Sequence, residues 1–333
     1  MGPTKLMVNQ ADYDVIATKL IEPWEIEEVG ESIFISERNG SIVEIKNNNI
    51  TRLPVLLDKD LSSQPEAGLL GLAFPHNFSN LAYAYYSYVE NNEFYQRVVE
   101  IMRTEERWEE SGVLIDRIPG GQFHQGGRIE IGPDQKLYIT TGDATIPELA
   151  QDPTSLAGKI IRMNLDATVP ADNPFPNSYV YSLGHRNPQG LAWDDDGNLY
   201  ATEHGPSAHD EINLIKVGKN YGWPIIIGDE TKEGMETPVV HSQENTWAPS
   251  GMTYIDGGFY FASLRGEGIR LFNPNSKEVT LIFSDVGRIR DVLATEDGLY
   301  AITNNTDGRG NPSEGDDRLL FIPRAVLQEL LSM

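Results

Sequence analysis

The sequence has no cysteine, which excludes disulfide bonds, thiolate metal sites and a cysteine nucleophile. It has no apolar run of about 18 residues or more, so no segment predicts a membrane-spanning helix. Basic residues are few, with 26 Lys and Arg against 50 Asp and Glu. The resulting net charge of −24 argues against nucleic acid or anionic lipid as a partner, because both require a basic face.

A two-strand unit recurs along the chain. Each copy has a short apolar run, a turn that is usually rich in Asp and Gly, and a second apolar run that often contains Leu-Tyr. Successive copies are roughly 40–60 residues apart, a spacing typical of a four-stranded propeller blade with its loops. The six copies are 24–38, 69–88, 127–143, 190–205, 251–265 and 291–305.

This repeat predicts an all-β fold, a six-bladed β-propeller with four-stranded antiparallel blades, in one domain over residues 1–333. A generic β-sandwich is the alternative, but it does not repeat one hairpin six times. The one helical signal, at 323–331, predicts a short tail packed on the outside. The aromatic run at 83–88 is interpreted as blade core and the acidic stretch 194–197 as a hairpin turn.

Hairpin geometry predicts where the functional site lies. The start of the first strand and the end of the second lie at the same end of a hairpin, so six such ends surround one mouth of the central channel. The residues that flank the repeats include several arginines, two histidines and carboxylates, in a chain poor in basic residues. A local site for an anion follows, and oxygen-rich loops beside it suit calcium.

Six long stretches carry a family resemblance. The chain resembles the soluble glucose and aldose sugar dehydrogenases that depend on pyrroloquinoline quinone (PQQ), along nearly its whole length. The stretches are GLLGLAFPHNF (68–78), HQGGRIEIGPDQKLYITTGD (124–143), AGKIIRMNLDATVPADNPFP (157–176), YSLGHRNPQGLAW (181–193), EHGPSAHDEINLIKVGKNYGWP (203–224) and RIRDVLATEDGLY (288–300).

The resemblance implies three catalytic residues, each in a named role. His124 matches the general base, Asp143 the carboxylate that orients it, and Arg186 a residue at the reactive side of PQQ. His185, next to Arg186, is interpreted as structural. The implied reaction is hydride transfer from the anomeric carbon of an aldose to calcium-bound PQQ, giving the lactone.

The resemblance also implies a cofactor and metal set. The backbone carbonyls of Gly205 and Pro206 match calcium ligands, and Asp210 would support them from behind. The residues that would contact PQQ are Glu66, His124, Arg186, Asn187, His204, Thr246, Arg265, Arg288 and Arg290.

Three departures separate this chain from the glucose-specific branch of that family. Glu66 and His204 stand where that branch has glutamine, and Arg265 where it has lysine. The branch's long insertions between blades are missing. These differences resemble the broader aldose branch and predict an aldose as the substrate, an electron acceptor that the sequence does not identify, and a monomer or weak dimer.

Localisation is expected by analogy alone. Residues 1–10 lack the apolar core of a signal peptide, yet comparable enzymes act in the periplasm or outside the cell.

Two rival functions stay open at this stage. A calcium-dependent lactone hydrolase on a propeller would place side-chain carboxylates and amides around its metal and would not need Arg288 and Arg290. A non-enzymatic binding module of the same fold would have lost the cofactor residues.

Overall fold

The computed structural model describes residues 7–332. Residues 1–6 and 333 lie outside the described residues. The prediction that residues 1–10 lack a signal-peptide core and the predicted domain 1–333 both extend into them. The first strand of the chain is β1, Asp14–Ala17. A one-turn 3-10 helix, Gln10–Asp12, precedes it.

Two antiparallel four-stranded meanders follow and together form an eight-stranded sheet. They are joined where Val55 and Leu56 pair in parallel with Trp108 and Glu109. Their strands are β2 (Pro23–Val29), β3 (Ser32–Glu37), β4 (Ser41–Lys46), β5 (Asn49–Leu56), β6 (Leu69–Ala73), β7 (Leu81–Glu90), β8 (Glu93–Arg103) and β9 (Trp108–Pro119).

Three separate four-stranded antiparallel sheets come next, each in chain order. A 3-10 helix, Pro147–Gln151, lies in the loop after β11. The strands are β10 (Ile129–Ile131), β11 (Lys136–Thr140), β12 (Lys159–Asn164), β13 (Val180–Leu183), β14 (Pro188–Trp193), β15 (Leu199–Glu203), β16 (Glu211–Ile215), β17 (Val240–His241), β18 (Pro249–Ile255), β19 (Gly258–Ser263), β20 (Gly268–Phe272) and β21 (Val279–Phe283).

The last sheet joins the two ends of the chain. Strands β22 (Ile289–Ala294), β23 (Gly298–Thr303) and β24 (Leu319–Pro323) form an antiparallel meander, and β1 adds to β24 as the outer strand. Helix α1, Arg324–Leu331, follows β24 and buries Leu327 against this sheet.

The six repeated units are antiparallel hairpins made of the first two strands of each meander. The acidic turn at 194–197 joins β14 to β15, where the Asp194 carboxylate accepts the N–H groups of Asp196 and Asn198. Gly197 takes a φ of +82°, which few other residues adopt. This stretch is therefore a hairpin turn.

The hydrophobic core lies between neighbouring sheets. Tyr85, Tyr86 and Tyr88 are fully buried, so the aromatic run at 83–88 belongs to this core. The first strands β2, β6, β10, β14, β18 and β22 follow one another around the molecule, and most neighbouring pairs are in contact, including β22 with β2. This is a propeller-like, all-β arrangement with the first strands innermost.

Most of the inner strands have a β-bulge near their start. The pairing register shifts there in β2, β6, β14, β18 and β22. A bulge bends the strand and changes where its side chains point. The residues at these starts are the ones that the repeat pattern placed at the mouth.

Candidate active site

His124 and Asp143 form the central hydrogen bond of the site. His124 lies in the loop before β10 and Asp143 in the loop after β11, and His124 Nδ1 is 2.8 Å from Asp143 Oδ1. Gly142 makes this approach possible, because a Cβ at that residue would lie 1.7 Å from the His124 carbonyl oxygen. Asp143 Oδ2 accepts a hydrogen bond of 2.8 Å from Trp223 Nε1. Both carboxylate oxygens are therefore engaged, and the buried carboxylate fixes the imidazole.

Two neighbouring side chains hold the loop that carries His124. The His124 N–H donates to Glu66 Oε2 at 3.0 Å, and the Gly126 N–H donates to Asn187 Oδ1 at 3.1 Å. Burial opposes ionisation of Glu66, but the His124 N–H and nearby positive side chains outweigh it and lower its pKa. Glu66 is thus a carboxylate beside the histidine at neutral pH.

Arg186 lies between this array and the next loop. Its carbonyl accepts the Asp143 N–H at 2.8 Å, and its own N–H donates to Glu203 Oε2 at 2.7 Å. Its guanidinium lies over the Trp223 ring at 5.4 Å, and burial lowers its pKa. His185 points away into the protein, where it bonds to Ser182 and Glu203, as its structural interpretation requires.

The loop 203–210 is shaped by Asp210. Asp210 Oδ1 accepts the Gly205 N–H at 2.9 Å, and Oδ2 accepts the N–H groups of Trp247 and Ala248. Gly205 is required because a Cβ would lie 2.1 Å from the Ala208 carbonyl oxygen. Thr246 donates its hydroxyl to the Ser207 carbonyl at 2.8 Å and ties the same loop to the next one.

Four arginines converge beside these loops. Arg290 is buried and donates to Asn304 Oδ1 and Gln189 Oε1, while Arg288 donates to the Asn304 carbonyl. Burial, together with the positive charge of Arg309, Arg288 and Arg38, holds the pKa of Arg290 well below its usual range. Arg38, Arg288 and Arg290 are buried, and Arg290 has no carboxylate within 4.0 Å among the described residues, so the cluster favours an anion as its ligand.

A cavity of about 340 Å³ opens onto this cluster. Its lining residues are Glu66, His204, Ala248, Leu264, Arg265, Arg288 and Arg309. Arg265 is exposed at its rim, whereas burial lowers the pKa of His204 to about 3, so His204 is neutral. The cavity therefore brings together residues from four of the six repeats, the second, fourth, fifth and sixth, or from the loops next to them.

Three buried polar nitrogens at this site lack a hydrogen-bond partner among residues 7–332: Arg186 Nε, His204 Nε2 and Asn304 Nδ2. Buried polar atoms are normally satisfied, so such a concentration at one mouth indicates a polar ligand. The donors and the arginines fit a compact ligand with several carboxylates and carbonyl oxygens, such as PQQ.

Sequence reasoning missed three contributors. Trp223 orients Asp143, and Arg309 and Asp307 pair at 2.7 Å at the edge of the cavity. Asp307 is ionised, because the positive charge of Arg309 outweighs burial and lowers its pKa to about 2. Trp223 lies within a stretch that carries the family resemblance, and that stretch could have indicated its role. The loop that holds Asp307 and Arg309 lies after the last repeat, so neither the repeat nor the resemblance indicated it.

The fold and site together define an all-β protein of propeller-like form with an arginine-rich mouth beside a histidine–carboxylate pair. The family model described as Glucose / Sorbosone dehydrogenase matches residues 20–319, and the chain belongs to that family. Among residues 7–332, no helix has the length and apolar character needed to cross a bilayer.

Relatives and solved structures agree with this assignment. The PQQ-bound aldose sugar dehydrogenase of Streptomyces coelicolor is 36% identical, with a TM-score of 0.86 over 93% of this chain and 97% of that one. Quinoprotein glucose dehydrogenase B of Acinetobacter calcoaceticus is 33% identical over 62% of this chain, but the match spans only 48% of that relative. Aldose sugar dehydrogenase YliI of Escherichia coli is 27% identical over 89% of this chain and 91% of its own length.

Proposed function

We propose that this protein is a PQQ-dependent aldose sugar dehydrogenase that oxidises its sugar at the anomeric carbon to the lactone. The observation that carries the proposal is the His124–Asp143–Trp223 array beside a cavity lined by three arginines. When bound, PQQ would supply the acceptor for the hydride that leaves the sugar.

The chain's own contribution to proton transfer follows from hydrogen-bond chemistry. A carboxylate only accepts, so Asp143 Oδ1 holds the proton of His124 on Nδ1 and leaves Nε2 as a base. His124 Nε2 then takes the proton of the anomeric hydroxyl, and Asp143 stabilises the imidazolium that forms.

The remaining residues would bind and polarise the cofactor. Arg288 and Arg290, with Glu66, Asn187, His204, Thr246 and Arg265 around them, form the proposed PQQ contacts. The carbonyls of Gly205 and Pro206 are the proposed calcium ligands, because hard cations favour oxygen. Arg186 would hold positive charge beside bound PQQ, where it would stabilise negative charge on the cofactor.

The wider proposal concerns the whole chain. Six four-stranded units whose inner strands follow one another in a ring support a six-bladed propeller in one domain, closed by β1. We propose a monomer or weak dimer that acts in the periplasm or outside the cell, with an electron acceptor still to be identified. The buried arginines, which a lactone hydrolase does not need, favour the dehydrogenase over that rival.

Reconstitution tests the proposal. We expect the apo-protein to be inactive and PQQ with Ca²⁺ to restore oxidation across a panel of aldoses with an artificial acceptor. His124→Ala should bind PQQ normally while turnover falls by roughly two to four orders of magnitude, the usual size of a general-base contribution. Absorbance titration with PQQ and turnover at saturation measure the two effects.

The control variant is His76→Ala, a histidine on the loop after β6 that we place outside the site. It should leave both quantities unchanged. Near-normal turnover in His124→Ala would show that the assigned base is wrong. Lactone hydrolysis without PQQ would instead favour the hydrolase.

A further inference from the structure

The central channel holds a second group of carboxylates away from the mouth. Glu25 and Glu27 lie on β2 and Glu130 lies on β10. These strands are separated in the ring by β6, so the three side chains meet across the channel. One carboxylate oxygen from each residue lies within 4.8 Å of the other two.

The buried carboxylate of Glu25 has a free oxygen. Glu25 Oε2 accepts the Leu72 N–H at 2.7 Å, but Oε1 has no hydrogen-bond partner in the part of the chain that the structure describes. Glu25 is fully buried. A buried carboxylate oxygen without a donor is costly, and its neighbours Glu27 and Glu130 only accept when ionised.

The charge balance of this group is strongly negative. Asp291 is the fourth carboxylate, and its Oδ2 accepts the Ile26 N–H at 2.9 Å. One guanidinium, that of Arg128, faces them, at 3.2 Å from Asp291 and 3.7 Å from Glu25. Four carboxyl groups facing one guanidinium would carry an excess of negative charge if all were ionised, and either protons or a cation must offset it.

The far end of the channel gives access to this group. Glu130 lines a cavity of about 210 Å³ that is formed by the later parts of the inner strands, including Ile131, Trp193, Tyr254 and Leu293. The mouth proposed to bind PQQ lies at the starts of the same strands. A hydrated ion can therefore reach the carboxylates without passing the cofactor.

We propose that Glu25, Glu27 and Glu130 bind a Ca²⁺ ion in the channel, separate from the calcium proposed at Gly205 and Pro206. Two oxygens that are each about 2.4 Å from one ion are at most about 4.8 Å apart, a condition that the three carboxylates meet. Calcium takes six to eight oxygens, and water from the cavity completes such a set. The ion ties inner strands of different sheets together.

The test counts calcium ions on protein freed of metal with a chelator and kept without PQQ. Equilibrium dialysis with ⁴⁵Ca²⁺ compares wild type, the double variant Glu27→Gln/Glu130→Gln, and the control Glu105→Gln/Glu106→Gln on an exposed turn. We expect wild type and control to bind one more ion per chain than the channel variant. Equal stoichiometry in all three proteins would overturn the proposal and show that the carboxylates are held by protons.

Thermal unfolding and the holoenzyme provide independent readouts. Calcium should raise the unfolding midpoint of wild type more than that of the channel variant, because an ion that binds only the folded state stabilises it. PQQ binding and turnover should survive in the channel variant, so loss of the channel ion and failure of the proposed dehydrogenase activity are distinguishable. If the double variant does not fold, Glu130→Gln alone should weaken Ca²⁺ binding at the channel site at least tenfold. Unchanged Ca²⁺ affinity in that variant would count against the proposed site.

Discussion

At the residue scale, the mouth brings together charged side chains whose ionised form burial disfavours. Arg290, Arg288 and Arg186 are cations whose pKa values burial lowers, and a polyanionic ligand would offset that cost. Asp143 is held by Trp223 and by the His124 ring at once. Two single substitutions separate cofactor binding from proton transfer.

Arg290→Ala should weaken PQQ binding by around tenfold to a hundredfold. The change removes a charge-assisted contact worth about 1.5–3 kcal/mol, while His124 and Asp143 stay in place. Activity should largely recover at saturating cofactor, as a titration of turnover against PQQ would show. Arg324→Ala, which removes an exposed arginine paired with Asp256, is the matched control. Unchanged PQQ affinity in Arg290→Ala would mean that Arg290 does not face the cofactor.

Trp223→Phe should change the proton-transfer step without changing sugar binding. It removes the N–H that stabilises the Asp143 carboxylate but keeps an aromatic ring beside Arg186. Asp143 Oδ2 then loses its donor, so the carboxylate holds the His124 ring less firmly and proton transfer slows. We expect turnover at neutral pH to fall by roughly tenfold with KM nearly constant. Trp193→Phe, outside the mouth, should leave both kcat and KM unchanged; an equal fall in kcat there would reject this role for Trp223.

At the element scale, the hairpin is the unit that positions chemistry, and β1 is the element that closes the molecule. Each inner hairpin delivers the residues before its first strand and after its second to the same end. The bulges at the starts of the inner strands adjust those residues further. Strand β1 pairs with β24 through Asp14, Val15 and Ala17, which joins the beginning of the chain to the last sheet.

Removing residues 1–17 should destabilise the whole protein and not only its end. Without β1, the edge of β24 loses its backbone partners and the buried Ala17 leaves the core beside Leu20. A loss of about 3 kcal/mol would lower the thermal midpoint by roughly 5 °C or more. In the control Val15→Ala/Ile16→Ala, the exposed side chains are trimmed while the strand remains, so the midpoint should hardly move. Calorimetry checks both, and equal midpoints for truncated and full-length protein would contradict a closing role.

At the scale of the whole molecule, the net charge is negative, whereas the mouth is rich in arginine. The chain carries a net charge of −24, yet Arg265, Arg288 and Arg309 line one cavity. Bound PQQ would neutralise much of that local positive charge, so an electron acceptor that approaches the holoenzyme would meet a predominantly negative surface.

Artificial acceptors of opposite charge should therefore respond oppositely to salt. Turnover with an anionic acceptor such as ferricyanide should rise between about 10 mM and 150 mM salt, because screening shortens the reach of the repulsion from about 30 Å to about 8 Å. Turnover with a cationic acceptor should fall over the same range. Steady-state rates at subsaturating acceptor measure this, and a neutral quinone is the control. The reverse pattern, a fall with ferricyanide and a rise with the cation, would show that the local positive charge at the mouth controls the encounter, and the same response for both would contradict any control by charge.

The sequence by itself determined the strand units and the identity of most mouth residues. Alternating apolar runs and Asp-Gly turns specify local hairpins, and residues such as His124, Asp143 and Arg290 flank them closely in the chain. Local geometry therefore carries them to a common end. Only the tertiary structure decided which side chains from different sheets meet: Trp223 with Asp143, Arg309 with Glu66, and Glu25 with Glu130. Those contacts depend on how the sheets are arranged around the channel, and hairpin periodicity contains no information about distances between different sheets.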